Sequence, residues 1–208
     1  FANLRANGLV CFDIEPEDEL RWVMFSDGTQ EVIMVTRSGK AIRFHEREVP
    51  VRGRPAGGVR GIELRDETGT IADQVVAVDL VDPAKQLLVV GERGIGKRSP
   101  LSLYRSQARG GRGLITMEVT DKTGPVVAAC VVNEDDRLMI ITVNGITIRV
   151  PVSQIRSAGR STQGVRLINL DPSDRVATIE RICRETLISA RRTAEAATQE
   201  DLSDTSGE

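Results

Sequence analysis

Residues 137–170 read RLMIITVNGITIRVPVSQIRSAGRSTQGVRLINL, and the chain has already spelled this pattern twice. Residues 86–119, QLLVVGERGIGKRSPLSLYRSQARGGRGLITMEV, and residues 31–64, EVIMVTRSGKAIRFHEREVPVRGRPAGGVRGIEL, align with it without a gap. Gly39, Gly94 and Gly145 coincide. So do Arg43, Arg98 and Arg149, then Arg54, Arg109 and Arg160, then Gly58, Gly113 and Gly164. The opening FANLRANGLVCFDI reads as the end of an earlier copy, with Gly8 in the place of Gly58. Similarity at periods of 55 and 51 residues is the mark of a repeat architecture. The basic stretch SQARGGRG at 106–113 is therefore the middle copy of a recurring loop.

Each copy opens on a short apolar run, VIMV, LLVV or LMII, followed by a glycine-containing turn. Such runs read as strands entering hairpins, with Ser38-Gly39 and Asn144-Gly145 in two of the turns. Further candidate strands, VVAVDLV at 75–81 and VVAACVV at 126–132, lie between copies. No amphipathic helix is evident within residues 1–183. The expectation is an all-β, propeller-like fold of about four strands per blade, with about three and a half blades in the chain.

Bulk composition removes several function classes. Cys11, Cys130 and Cys183 lie far apart, and His45 is the only histidine, so no clustered zinc ligands are present in the sequence. Free thiols in a chain of this size suit a reducing cytosol. No apolar run approaches the roughly 20 residues of a membrane span, and no signal peptide is visible. The chain starts at Phe1 in mid-pattern, which predicts a fragment of a longer polypeptide.

The net charge of −2 hides a segregation. The three copies carry +3, +4 and +5, while the spacers between and around them are all negative. In a repeat fold, equivalent residues fall at equivalent places round the assembly. Arg43, Arg98 and Arg149 are expected to form one row of cations, and Arg54, Arg109 and Arg160 another. Fixed cations along a curved edge suit the phosphate backbone of duplex DNA. Glycines beside them allow backbone N–H groups to approach phosphates, although the hairpin glycines also have the plain role of tight turns. With aromatics at 3%, base stacking of single strands is disfavoured, and no recognition helix is present for groove reading. Sequence-tolerant binding of bent duplex fits best. The competing class is a protein-interaction scaffold with an incidental basic edge.

The motif R-x-x-x-G-V-R in RPAGGVRGI and RSTQGVRLI, with the lead-ins VIMVTRSGKAIRF and LMIITVNGITIRVPVSQIRSAGRSTQGV, resembles the C-terminal domain of DNA gyrase A subunits. The resemblance covers roughly residues 1–182. It implies a β-pinwheel whose blades exchange strands and whose basic rim wraps duplex DNA. In that family wrapping serves negative supercoiling driven by ATP. It further implies a holoenzyme with two A and two B subunits, with ATP and magnesium used elsewhere in it, a bacterial cytoplasmic location, and no cofactor in this segment. QARGGRG at 107–113 is similar to the family's gyrase A box, Q-R-R-G-G-K-G, and departs from it at Ala108 and Arg112. Its position fits a later blade with a degenerate box, so the family's supercoiling-essential box is expected upstream. The resemblance carries a rim role to Arg105, Arg109 and Arg112, and by repeat to Arg52, Arg54, Arg60, Arg156, Arg160 and Arg166. The corresponding part of topoisomerase IV is the nearest alternative.

Catalysis is not expected in this chain. Tyr104 is its only tyrosine and has neither a neighbouring histidine nor an acidic metal cluster, so it reads as a rim or packing residue. GERGIGKRS at 91–99 fails the phosphate-loop spacing, because Arg98 follows Gly96-Lys97. NEDDR at 133–137 reads as a solvated turn, and His45 as a surface residue. Residues 1–183 are expected to form the pinwheel part. Residues 184–208, acidic and poor in apolar residues, are expected to be a disordered tail that either aids solubility or competes with DNA for the rim.

Overall fold

The computed structural model describes residues 10–14, 16, 18–53 and 56–183. The expected tail at 184–208 and most of the early partial copy lie outside the described residues. Within them every extended element is a β-strand, and the only helical pieces are single 3₁₀ turns.

The first repeat supplies β1 (Glu31–Thr36), β2 (Lys40–His45) and β3 (Val75–Leu80). The second supplies β4 (Gln86–Gly91), β5 (Ile95–Pro100), the two-residue β6 (Leu114–Ile115) and β7 (Val126–Val132). The third supplies β8 (Arg137–Thr142), β9 (Thr147–Pro151), β10 (Val165–Arg166) and β11 (Val176–Ile182). The glycine-turn hairpins form as expected: β1 with β2, β4 with β5 and β8 with β9 are antiparallel pairs. Gly39, Gly94 and Gly145 all have positive φ in their turns.

Three antiparallel sheets result, in the orders β3-β1-β2-β6, β10-β5-β4-β7 and β11-β8-β9. The innermost strands β3, β7 and β11 touch one another in sequence and form a hub. The outermost strand of each four-stranded blade comes from the following repeat: β6 closes the first blade and β10 the second. Each repeat is thereby stitched into the edge of the one before it.

The burial pattern follows from this stacking. β4 is apolar on consecutive residues because its blade is covered on both faces. Leu87 and Val89 pack with Ile33, Val35 and Ala77 of the first blade. Leu88 and Val90 pack with Leu138, Ile140 and Val176 of the third. Tyr104 is 1% exposed and its hydroxyl is 2.5 Å from Thr116 Oγ1, so it packs between blades.

The exchanged strand can approach its host only through glycine. A Cβ on Gly164 (φ +99°) would lie 2.5 Å from the Gly96 carbonyl oxygen, and one on Gly113 (φ +70°) 2.7 Å from that of Ala41. These glycines admit a neighbouring backbone, which is a stricter demand than a turn. We expect Gly164→Ala to destabilise the chain by about 2 kcal/mol or more, since strained φ and a backbone clash combine. Gly57→Ala has open space and no positive φ and should be near neutral. Urea midpoints of the two variants check this.

Candidate functional site

The chain between each 3₁₀ turn and the exchanged strand leads to the blade edge opposite the hub strands, where β6 and β10 pair. In the second repeat this is residues 104–113, and in the third 155–164. The repeated arginines divide here into two groups with different surroundings.

Arg43 and Arg98 do not line the edge as free cations. Arg43 binds the Glu31 carboxylate through Nε (2.8 Å) and through a second guanidinium nitrogen. It also donates to the carbonyls of Leu101 (3.0 Å) and Tyr104 (3.2 Å) in the next blade. Burial pushes the Glu31 carboxyl up, but bonds from Arg43 and Ser106 outweigh it and hold the group below its ordinary range. Arg98, 6% exposed, repeats the arrangement one blade on. It donates to Ile155 O (2.7 Å) and Ser153 O (3.4 Å) and pairs with Glu134 (2.6 Å). In the structure these two guanidiniums, expected in a row facing phosphate, reach forward and clasp the next blade's 3₁₀ turn. Arg149, their third-repeat counterpart, is exposed.

Arg109 and Arg160 clasp in the opposite direction. Arg109 donates to the Arg60 carbonyl and, through Nε, to Glu48 O (3.1 Å), while its own N–H binds the Glu48 carboxylate (2.7 Å). Arg160 donates to Ile115 O (2.6 Å), and position 115 is the repeat equivalent of 60. Both remain half-exposed at the edge. Arg54, the first-repeat member of this row, lies outside the described residues.

With Arg149, the exposed candidates are Arg52, Arg60, Arg105, Arg112, Arg156 and Arg166. Arg60 is offset by Glu63 at 2.5 Å. Arg166, at the matching position on β10, donates to the neutral Asn169 Oδ1 at 3.4 Å. Arg105 and Arg156 are repeat equivalents just past the 3₁₀ turns. No salt bridge among the described residues involves Arg105, Arg112, Arg156 or Arg166. The edge can therefore offer spaced guanidiniums to an extended polyanion.

Several residues acquire roles that pattern reading missed. Glu134, in NEDDR, pairs with Arg98, and Asp136 is 7% exposed and accepts from Asn133 N at 2.9 Å, so the turn is structural. His45 is half-buried and caps the following 3₁₀ turn, accepting from Arg47 N at 3.1 Å. Lys97 is buried with no carboxylate partner among the described residues. Burial, with positive Arg160 adding to it, pushes its ammonium down from 10.5 to about 8. Between those values the unfolded chain holds a proton that the native chain has lost, so this group raises stability as pH increases. The expected result is that wild type gains stability relative to Lys97→Met between about pH 8 and 10, read from paired urea titrations.

The family described as DNA gyrase C-terminal domain, beta-propeller matches residues 30–82, 85–133 and 136–183. The DNA gyrase A subunit of Deinococcus deserti is 40% identical over 188 residues, covering 89% of this chain and 23% of the relative. That of Staphylococcus aureus is 36% identical over 208 residues, covering 99% of this chain and 22% of the relative. The chain thus spans less than a quarter of the length of these relatives. The solved C-terminal domain of DNA gyrase A superposes with TM-score 0.73 at 25% identity, over 85% of this chain and 59% of that one. The crystal structure of the C-terminal domain of DNA topoisomerase IV superposes with TM-score 0.79 at 23% identity, over 90% and 58%, a likeness of fold. Stacked antiparallel blades, strand exchange and these matches agree: the chain belongs to the DNA gyrase C-terminal domain family.

Proposed function

We propose that this chain binds the phosphate backbone of duplex DNA along the outer edge of its blades and bends the duplex around that edge. The observation that carries the reading is the set Arg105, Arg112, Arg156 and Arg166: all are exposed and none has an acidic partner among the described residues. Arg105 and Arg156 are repeat equivalents, and Arg112 and Arg166 lie beside and on the exchanged strands β6 and β10. Phosphate binding asks for cations free of internal partners, since a guanidinium already paired gains little from exchanging one anion for another. The near absence of exposed aromatic rings on these segments supports duplex over single strand.

In this reading the segment is the non-catalytic, DNA-wrapping part of a gyrase A subunit. The whole enzyme joins two A and two B subunits in the bacterial cytoplasm and introduces negative supercoils. ATP and magnesium act in its other regions, and the strand-cleaving tyrosine lies outside this chain. The sequence relatives, DNA gyrase A subunits at 35–40% identity, favour gyrase over topoisomerase IV.

The test is binding of a duplex of about 150 base pairs, near the persistence length, across a salt series. A steep fall of affinity with salt supports backbone binding. Salt-insensitive binding, or none by the full-length polypeptide, removes the reading in favour of a protein-interaction scaffold.

A further inference from the structure

The two blade junctions are built from different chemistry. Under the outer-edge loop of the second repeat the first blade presents Ile42 and Phe44, both buried. Under the matching loop of the third repeat the second blade presents Lys97 and Ser99, also buried. Lys97 is 0% exposed. Its ammonium donates to the carbonyls of Gly159 and Arg160, the latter at 2.5 Å, and lies 3.4 Å from Ser99 Oγ. Ser99 Oγ donates to Ala158 O at 2.8 Å. Two side chains of one strand thus gather three consecutive carbonyls, 158 to 160, of another blade's loop.

Backbone bonds to Arg98 (Ala158 N to Arg98 O, 2.9 Å; Arg98 N to Arg156 O, 3.2 Å) hold the start of the loop, and Arg160 reaches Ile115 O at 2.6 Å, but the turn at 159–162 is weakly closed on itself. Its own closing contact, Thr162 N to Gly159 O, is long at 3.4 Å, and Thr162 Oγ1 donates to the same oxygen at 2.9 Å. At the first junction the loop is tied instead by an acid, the Glu48 carboxylate on the Arg109 N–H. The second junction reverses that sign: residues 137–170 contain no acidic residue, and the anchor beneath the loop is a cation. A buried lysine without a carboxylate is costly. An apolar pair would fold more cheaply here, as Ile148 and Val150 do at the equivalent places of the third repeat.

We infer that Lys97 is a positioning residue for the phosphate-binding edge: it fixes the 156–162 loop from below so that Arg156 and Arg160 are presented together at the junction of the second and third blades. This rests on the backbone-binding reading above. Lys97 itself does not reach solvent and touches no DNA. It acts by holding the carbonyls of Gly159 and Arg160 in a single arrangement.

The test uses Lys97→Met and Arg156→Ala, singly and together, in the full-length polypeptide. Amide hydrogen exchange without DNA is the first readout. K97M should accelerate exchange in peptides spanning 156–164 by about tenfold or more and leave 105–113 unchanged. Duplex affinity at low salt is the second. R156A should weaken binding several-fold in the wild-type background and have almost no effect in the K97M background. If R156A weakens binding equally in both backgrounds, or loop exchange is unmoved, Lys97 only fills space and the inference is overturned. If R156A has no effect even beside wild-type Lys97, the backbone-binding reading fails at this blade and the inference falls with it. Should K97M fail to fold, K97I with S99V installs the pair that the third blade already carries, and the same two readouts apply.

Discussion

Changing Arg105, Arg112, Arg156 and Arg166 together to glutamine is expected to flatten the salt dependence of duplex binding while leaving the fold intact. Each phosphate neutralised on B-form DNA adds about 0.9 to the slope of log affinity against log salt. Four lost contacts should therefore reduce the slope by about 3.6. Between about 50 and 200 mM salt that removes roughly a 150-fold change in affinity. At the lower salt the variant should bind on the order of a hundredfold more weakly or worse. Stability should move little, because all four side chains are exposed and none forms a salt bridge among the described residues. The measurement is a binding isotherm at four or five salt concentrations beside a urea titration. A slope unchanged by the four substitutions would place the DNA elsewhere.

The opposite signature is expected at Arg98. Arg98→Met keeps the aliphatic stem and removes the guanidinium, so packing is largely retained. The carbonyl of Ile155, a residue 1% exposed, loses its 2.7 Å donor, and Glu134 loses its partner. Glu134 is 64% exposed on its side chain and can turn to water, so the cost lies mainly in the stranded carbonyls. We expect a loss of about 3 kcal/mol, or a urea midpoint lower by about 1.5 M at an ordinary m-value. Under conditions where the variant stays folded, its salt slope for DNA should match that of wild type, because this guanidinium faces the next blade. The pair of results separates the two arginine classes: one set changes binding at constant stability, the other stability at constant slope. Hydrogen exchange at Ser153 and Ile155 offers a local check on the second.

Much of the architecture is legible in the residue order because repetition amplifies weak signals. A single VIMV or LLVV run is ambiguous, but three in register, each followed by glycine at the same offset, point to stacked hairpin units. The hairpins β1–β2, β4–β5 and β8–β9 form where those runs and glycines place them. The segregation of charge into the repeats is legible for the same reason. Strand exchange carries no residue signal of its own: β6 and β10 are two residues each and too short for any alternation to show. Only the family resemblance implies it. In the structure its trace is Gly113 and Gly164, whose missing side chains admit a neighbouring backbone.

The arginines mark where residue order stops being sufficient. Periodic placement says that a contact recurs in every blade, and it is silent on whether the contact is with a ligand outside or with the next blade. Arg43 and Arg98 proved to be clasps between blades, and Arg109 and Arg160 clasps in the reverse direction that still reach the edge. Lys97 could not be singled out at all, because its meaning depends on carbonyls some sixty residues away in sequence. Chain order determined the repeat, the turns and the sign of each segment, since these depend on neighbours along the backbone. Which cations remain available was decided only by tertiary packing, because a guanidinium is free or spent according to the oxygens that folding brings within about 3 Å of it.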